Sequence, residues 1–203
     1  MNRLFIFSVF FAMSLTYVAA QQAASQQVAV VELTFTFTRQ SGSASNQFAV
    51  WIENTEGRLV KTLYATRFTA DGGWKRRASS IPVWVNKSGL SDLSKAQVDA
   101  LTGATPKTGT LTYIWDGTDS SGASVPAGNY VIFLEGTLRW ENQVLYHAPI
   151  VLGQELVTPS ASAEKTVAEK TAAGKTVEVS VEYTGEAGSD SAMIGNVAVK
   201  LFR

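Results

Sequence analysis

One histidine, no cysteine and 17 acidic side chains among 203 residues limit the chemistry open to this chain. Without Cys there is no disulfide framework, no thiolate zinc or iron–sulfur site and no thiol nucleophile. A Ser-His-Asp triad would have to use His147, and a His-rich metal site is excluded. His147 sits in the apolar run from Val144 to Leu152, where a lone histidine reads as a hydrogen-bonded strand residue. Glu32, Glu53 and Glu135 fall on different predicted strands, so the sequence supports no paired-carboxylate hydrolase. Asp116 and Asp119 lack the alternating ligands and distal Glu of a calcium loop and read as turn residues. Trp74 with Lys75-Arg76-Arg77 offers cations and a stacking face to an anionic partner, but reads first as a solvated loop. The five Trp residues read as core or rim; an exposed row of them would make a glycan platform.

The segment Asp99-Ala100-Leu101-Thr102-Gly103-Ala104-Thr105 combines a carboxylate, two hydroxyls and two small residues. As structure, it ends a helix. Ser91 or Ser94 can cap that helix, while Leu93, Val98 and Leu101 can share a face. Gly103 would take the left-handed C′ position, Thr102 and Thr105 would bond turn backbone, and Pro106 would stop the helix. As chemistry, it leaves the Thr105 hydroxyl on an exposed turn beside the small Gly103 and Ala104.

These side chains need a scaffold, and composition supplies one. Apolar residues are 45% and charged residues 17%, enough for a core and too little charge for a disordered chain. Equal numbers of basic and acidic residues leave no cationic surplus for nucleic acid. Arg3, the apolar run from Leu4 to Val18 and the small residues Val18-Ala19-Ala20 read as a secretory signal peptide cut after Ala20. Removing residues 1–20 takes away Arg3 and no acid, leaving one net negative charge. The expectation is a periplasmic or secreted protein with no membrane span after cleavage.

After a polar lead-in at 21–27, residues 28–203 read as one β-sandwich domain. Val31, Leu33, Phe35 and Phe37 alternate with Glu32, Thr34, Thr36 and Thr38, as in a half-buried strand. Phe48, Val50 and Ile52 mark a second strand, and residues 59–68 a third that forms a hairpin with it. Residues 70–80 break the pattern. Ile81 to Val85, with Pro82, reads as an edge piece or bulge. Further strands are expected over 108–115, 129–140, 144–152, 177–183 and 192–202. Residues 158–174, with Ala-Glu-Lys-Thr repeated, read as a long exposed loop. The expectation is all-β: an immunoglobulin-like sandwich of about eight or nine strands with one short helix.

The phrase Trp115-Asp116-Gly117-Thr118-Asp119, followed by Val125-Pro126-Ala127-Gly128-Asn129-Tyr130, resembles the corner of immunoglobulin-like segments in flagellar hook-capping and other bacterial surface sandwiches. Taken with Trp51-Ile52-Glu53-Asn54 and the segment ending at Pro106, the order of motifs resembles the predicted periplasmic family called domain of unknown function 2271. That resemblance implies extracytosolic redox biology by association, with a flavin transferase and a PepSY-type membrane redox protein as partners. Separately, residues 99–105 are similar to the acceptor motif of periplasmic flavin transferases, D-x-x-[S/T]-G-A-T, although Pro106 departs from it. The similarity implies covalent FMN esterified to Thr105, with Asp99 for recognition and Thr102, Gly103 and Ala104 completing the site. An isoalloxazine held there would lie near Trp74 or Trp84. The functional expectation is a non-catalytic accessory protein of a flavin redox system. A cofactor-free binding module of the cell envelope is the alternative.

Overall fold

The computed structural model describes residues 29–41, 46–137, 142–153, 174–184 and 193–202. The expected signal peptide, the lead-in and nearly all of loop 158–174 lie outside these residues.

The alternation that starts the domain makes β1 (Val30–Phe37). Its Val31, Leu33, Phe35 and Phe37 are fully or almost fully buried. β1 pairs antiparallel with β10 (Ile194–Phe202) on one side and with β5 (Gly109–Trp115) on the other. The short β8 (Lys175–Val177) completes a four-stranded sheet in the order β5-β1-β10-β8. The second sheet has β2 (Gln47–Asn54), β3 (Leu59–Thr66), β4 (Thr102–Gly103), β6 (Gly128–Thr137), β7 (Gln143–Leu152) and β9 (Ser180–Thr184). Their order is β4-β3-β2-β6-β7-β9. The inner faces meet in one apolar core. Phe48, Val50 and Ile52 of β2 join Ile132 and Leu134 of β6 and Trp115 of β5 there.

The chain is thus an all-β sandwich, with ten strands among the described residues. The one strand expected over 177–183 is two. β8 pairs with β10 in the first sheet, and β9 pairs with β7 in the second.

The single expected helix is present as one part of a larger third layer. The outer face of the second sheet carries Ala49, Trp51 and Ala65, which are buried as completely as the inner face. What covers them is the segment between β3 and β5: a π-type turn (Thr69–Gly73), α1 (Trp74–Arg76), α2 (Pro82–Ser88), a 3₁₀ turn (Leu90–Asp92) and α3 (Lys95–Leu101). Ala70, Ile81, Trp84, Leu90 and Val98 form the underside of that layer.

The edge piece expected at Ile81–Val85 is helical. Pro82 stands at the start of α2, where its missing N–H costs nothing, and Gly89 ends the helix in the left-handed region (φ 61°). At α3, Ser94 is the cap. Its hydroxyl accepts from Gln97 N–H, and the Gln97 side chain accepts from Ser94 N–H at 2.9 Å, a reciprocal capping box.

Candidate functional site

Leaving α3, the chain does not take the left-handed turn expected at Gly103. Thr102 is extended (φ −119°, ψ 155°), and Gly103 is not among the glycines of positive φ. Thr102 and Gly103 pair in parallel with Ala65 and Thr66 of β3 as the edge strand β4. The competing force is the open edge of β3, which supplies ladder partners as soon as the helix ends. Glycine is required for a different reason. A Cβ at Gly103 would lie 2.6 Å from Cε2 of the Tyr64 ring. The Tyr64 ring therefore packs directly against this backbone, and its hydroxyl donates to the carbonyl of Ala104 at 2.8 Å.

The two threonines of the motif diverge. The Thr102 hydroxyl donates to Val98 carbonyl at 2.8 Å and closes the last turn of α3, the structural role expected of it. Thr105 is half-buried, and its hydroxyl makes no hydrogen bond among the described residues. Ala104 beside it is exposed. Asp99 lies on α3, exposed, between Arg67 and Lys95 at 3.6 Å each.

Residues 104–108 then cross from the edge of one sheet at β4 to the edge of the other at β5. Under this crossing lies an aromatic stack. Tyr64 stacks on Phe48 with ring centroids 5.0 Å apart, and Tyr113 of β5 lies 5.2 Å from Tyr64. Burial pushes the Tyr64 phenol up to about 12, and burial together with the nearby Tyr64 raises Tyr113 further. Both stay protonated at neutral pH, as the Tyr64 donor role requires. Where the crossing meets the end of β1, the Arg39 backbone N–H donates to the Thr108 hydroxyl at 3.0 Å. An open groove of about 430 Å³ is lined there by Arg39, Gln40, Ser41, Lys107 and Thr108. Neither Arg39 nor Lys107 forms an ion pair with a carboxylate among the described residues. The sequence reading missed this groove, because its two cations are 68 positions apart and only the β1–β5 pairing joins them.

Residues 29–170, more than half of the chain, match the family described as a predicted periplasmic protein (DUF2271). The chain belongs to that family. No curated protein and no solved structure matches it. Among the described residues, no helix is long and apolar enough to cross a membrane.

The other sequence candidates of this DUF2271 chain lie elsewhere in the sandwich and its helical layer. Asp116 accepts from Thr118 N–H and Oγ1, and Asp119 from Ser121 and Ala123 N–H. These bonds hold both carboxyls below their ordinary range and account for the turn after Trp115. Trp115 donates its indole N–H to Thr118 carbonyl at 2.7 Å, and Tyr130 donates to Pro126 carbonyl at 2.8 Å.

Glu53 and Glu135 share the outer face of the second sheet, four register positions apart on neighbouring strands, about 13 Å along the strands. Glu53 accepts from Trp51 Nε1 and Lys87 Nζ, whereas Glu135 accepts from the backbone of α2. Glu32 lies on β1, where its Oε1 accepts from Thr34 Oγ1. His147 on β7 is half-buried, with Nε2 3.4 Å from Glu182. Trp84 is fully buried with its indole N–H on Thr62 Oγ1, so it offers no face to a flavin. Trp74 is half-buried, with Lys75 Nζ 5.3 Å from its ring centre and Arg76 over Phe68.

Proposed function

We propose that this DUF2271 protein is an exported, non-catalytic accessory component of an extracytosolic flavin redox system, and that it carries FMN covalently on Thr105. One observation carries the reading: of the two hydroxyls in the Asp99–Thr105 motif, the helix consumes Thr102 and leaves Thr105 without a partner among the described residues, half-exposed beside small neighbours. An acceptor hydroxyl needs to be reachable and uncommitted, and it needs backbone that holds still while an enzyme grips it. The Tyr64 hydroxyl on Ala104 carbonyl and the short β4 ladder supply that rigidity.

Loading joins Thr105 Oγ1 to a phosphorus atom. A phosphoanhydride bond of a flavin dinucleotide breaks, and its nucleoside monophosphate leaves with the bonding pair. The hydroxyl proton passes to a base of the flavin transferase, and no atom changes oxidation state. When bound, the flavin supplies electron-transfer chemistry, with a PepSY-type membrane protein as the exchange partner. This chain's residues position and present; none is asked to catalyse. Asp99, exposed on α3, is the recognition carboxylate.

The test is the intact mass of the protein purified from a periplasm that co-expresses a flavin transferase. A chain beginning at Gln21 and heavier by one FMN less one water is expected. An unmodified chain, with the transferase active on a known acceptor, overturns the reading. It would favour the cofactor-free envelope module, for which the exposed Ile114 on β5 and Val181 and Tyr183 on β9 are the apolar contacts.

A further inference from the structure

The groove beside the Thr105 crossing has a consistent chemical character. Arg39 and Lys107 bring two positive charges to one rim, and no carboxylate lines it among the described residues. Ser41 and Thr108 add hydroxyls. The Thr108 oxygen already accepts from Arg39 N–H, which leaves its own proton for an outside acceptor. The backbone under the groove is fixed. The Asn46 side chain clips Gln40 twice, accepting from its N–H at 2.7 Å and donating to its carbonyl at 2.9 Å. Gln40 Nε2 is turned back onto Thr38 carbonyl. A rim rich in donors, with two cations that form no ion pair among the described residues, suits a compact multivalent oxyanion. Arg39 gives the planar fork and Lys107 the mobile point charge commonly found around phosphate. Lys107 follows Thr105 by two residues on the same connection.

We infer that the groove formed by Arg39, Ser41, Lys107 and Thr108 is a phosphate subsite that receives the phosphoryl group of the flavin nucleotide destined for Thr105. The inference rests on the carrier reading and adds to it the residues that would hold the phosphate.

The experiment uses the mature chain carrying Thr105→Val, in which no ester can form. FMN, riboflavin and inorganic phosphate are titrated, with flavin fluorescence and backbone amide shifts as readouts. FMN is expected to bind at least tenfold more tightly than riboflavin, with shifts centred on residues 39–41 and 107–108, and to be displaced by excess phosphate. Arg39→Gln with Lys107→Gln is expected to weaken FMN binding at least tenfold at an unchanged melting temperature, because both side chains are exposed. Lys107→Arg is expected to retain most of the affinity. Equal binding of FMN and riboflavin, or FMN binding unaltered in the double variant, overturns the subsite. Inorganic phosphate binding as tightly as FMN makes the ligand the free anion and overturns the nucleotide assignment. The two readings fail separately. Full mass gain on co-expression without FMN binding in the groove removes the subsite and keeps the carrier. An unmodified mass with FMN still held in the groove removes the carrier and overturns the destination at Thr105, leaving a noncovalent phosphate subsite.

Discussion

Trp84 donates its backbone N–H to the Glu135 carboxylate at 2.8 Å, across 51 positions of sequence, and Val83 N–H reaches the other oxygen of the same group at 3.1 Å. A strand side chain thereby caps a helix of another layer. α2 has no side-chain cap of its own, because the residue before Pro82 is Ile81. Ile81 is held at φ 43°, ψ 58°, a conformation a β-branched residue adopts only under strain. Its N–H donates to Thr137 Oγ1 at 3.0 Å. Glu135 and Thr137, two positions apart on β6, together pin the entry of α2 against the sheet.

Glu135 makes that junction pH-dependent. Burial pushes its carboxyl up to about 7, against the two backbone N–H bonds that favour the charged form. The folded protein therefore binds this proton more tightly than the unfolded chain does. The stabilisation is fully present below the ordinary carboxylate value and is lost as pH rises through about 7. Glu135→Gln keeps the shape and removes the titration. Chemical denaturation at pH 5 and pH 8 is expected to show wild type losing up to about 3 kcal/mol more than the variant over that interval. Parallel losses in the two proteins would assign the dependence elsewhere.

Thr137→Val isolates the second pin. The exchange is nearly isosteric, but it leaves the buried Ile81 N–H without its acceptor. An unsatisfied buried donor costs about 1–3 kcal/mol. Denaturation should show a loss in that range, and hydrogen exchange should place the largest rise in α2 rather than in β1 or β10.

Gly103 and Tyr64 are predicted to be coupled. Gly103→Ala puts a methyl where the Tyr64 ring stands and forces the ring off Phe48 and off Ala104 carbonyl. Overpacking of this kind costs about 1–3 kcal/mol. In a Tyr64→Ala background the clash has no partner, so Gly103→Ala should become nearly neutral. A double-mutant cycle measures this directly, and additive costs would mean that the glycine serves the backbone alone.

The inner faces of the sandwich were legible because alternation is a local property. Val31, Leu33, Phe35 and Phe37 announce their face without knowledge of what lies opposite. The helical layer was not. Ile81, Val83 and Val85 are β-branched and next to a proline, a pattern that imitates an edge strand. The helix signal in this stretch is the spacing from Pro82 to Gly89, proline inside the start of a helix and glycine past its end. The burial of Ala49 and Trp51 is the consequence of that layer, and its local sign is the unbroken apolar run Phe48-Ala49-Val50-Trp51-Ile52 in β2, where a half-buried strand would alternate. At the site, the motif was readable but the division of labour within it was not. Whether Thr102 or Thr105 is engaged depends on where the Val98 carbonyl in the last turn of α3 points.

That division gives the sharpest comparison. Thr102→Val removes the bond to Val98 carbonyl and should cost about 0.5–1.5 kcal/mol, the usual net worth of one hydrogen bond. Thr105→Val removes a hydroxyl with no partner among the described residues and should leave the denaturation midpoint where it is. On co-expression with a flavin transferase, Thr105→Val should lose the added FMN mass and Thr105→Ser should regain it, because the ester needs a hydroxyl and not a methyl. A stability loss in Thr105→Val equal to that of Thr102→Val would mean that both hydroxyls serve the helix end. The motif would then be a structural corner, and the exposed apolar residues of β5 and β9 would be the surface to pursue.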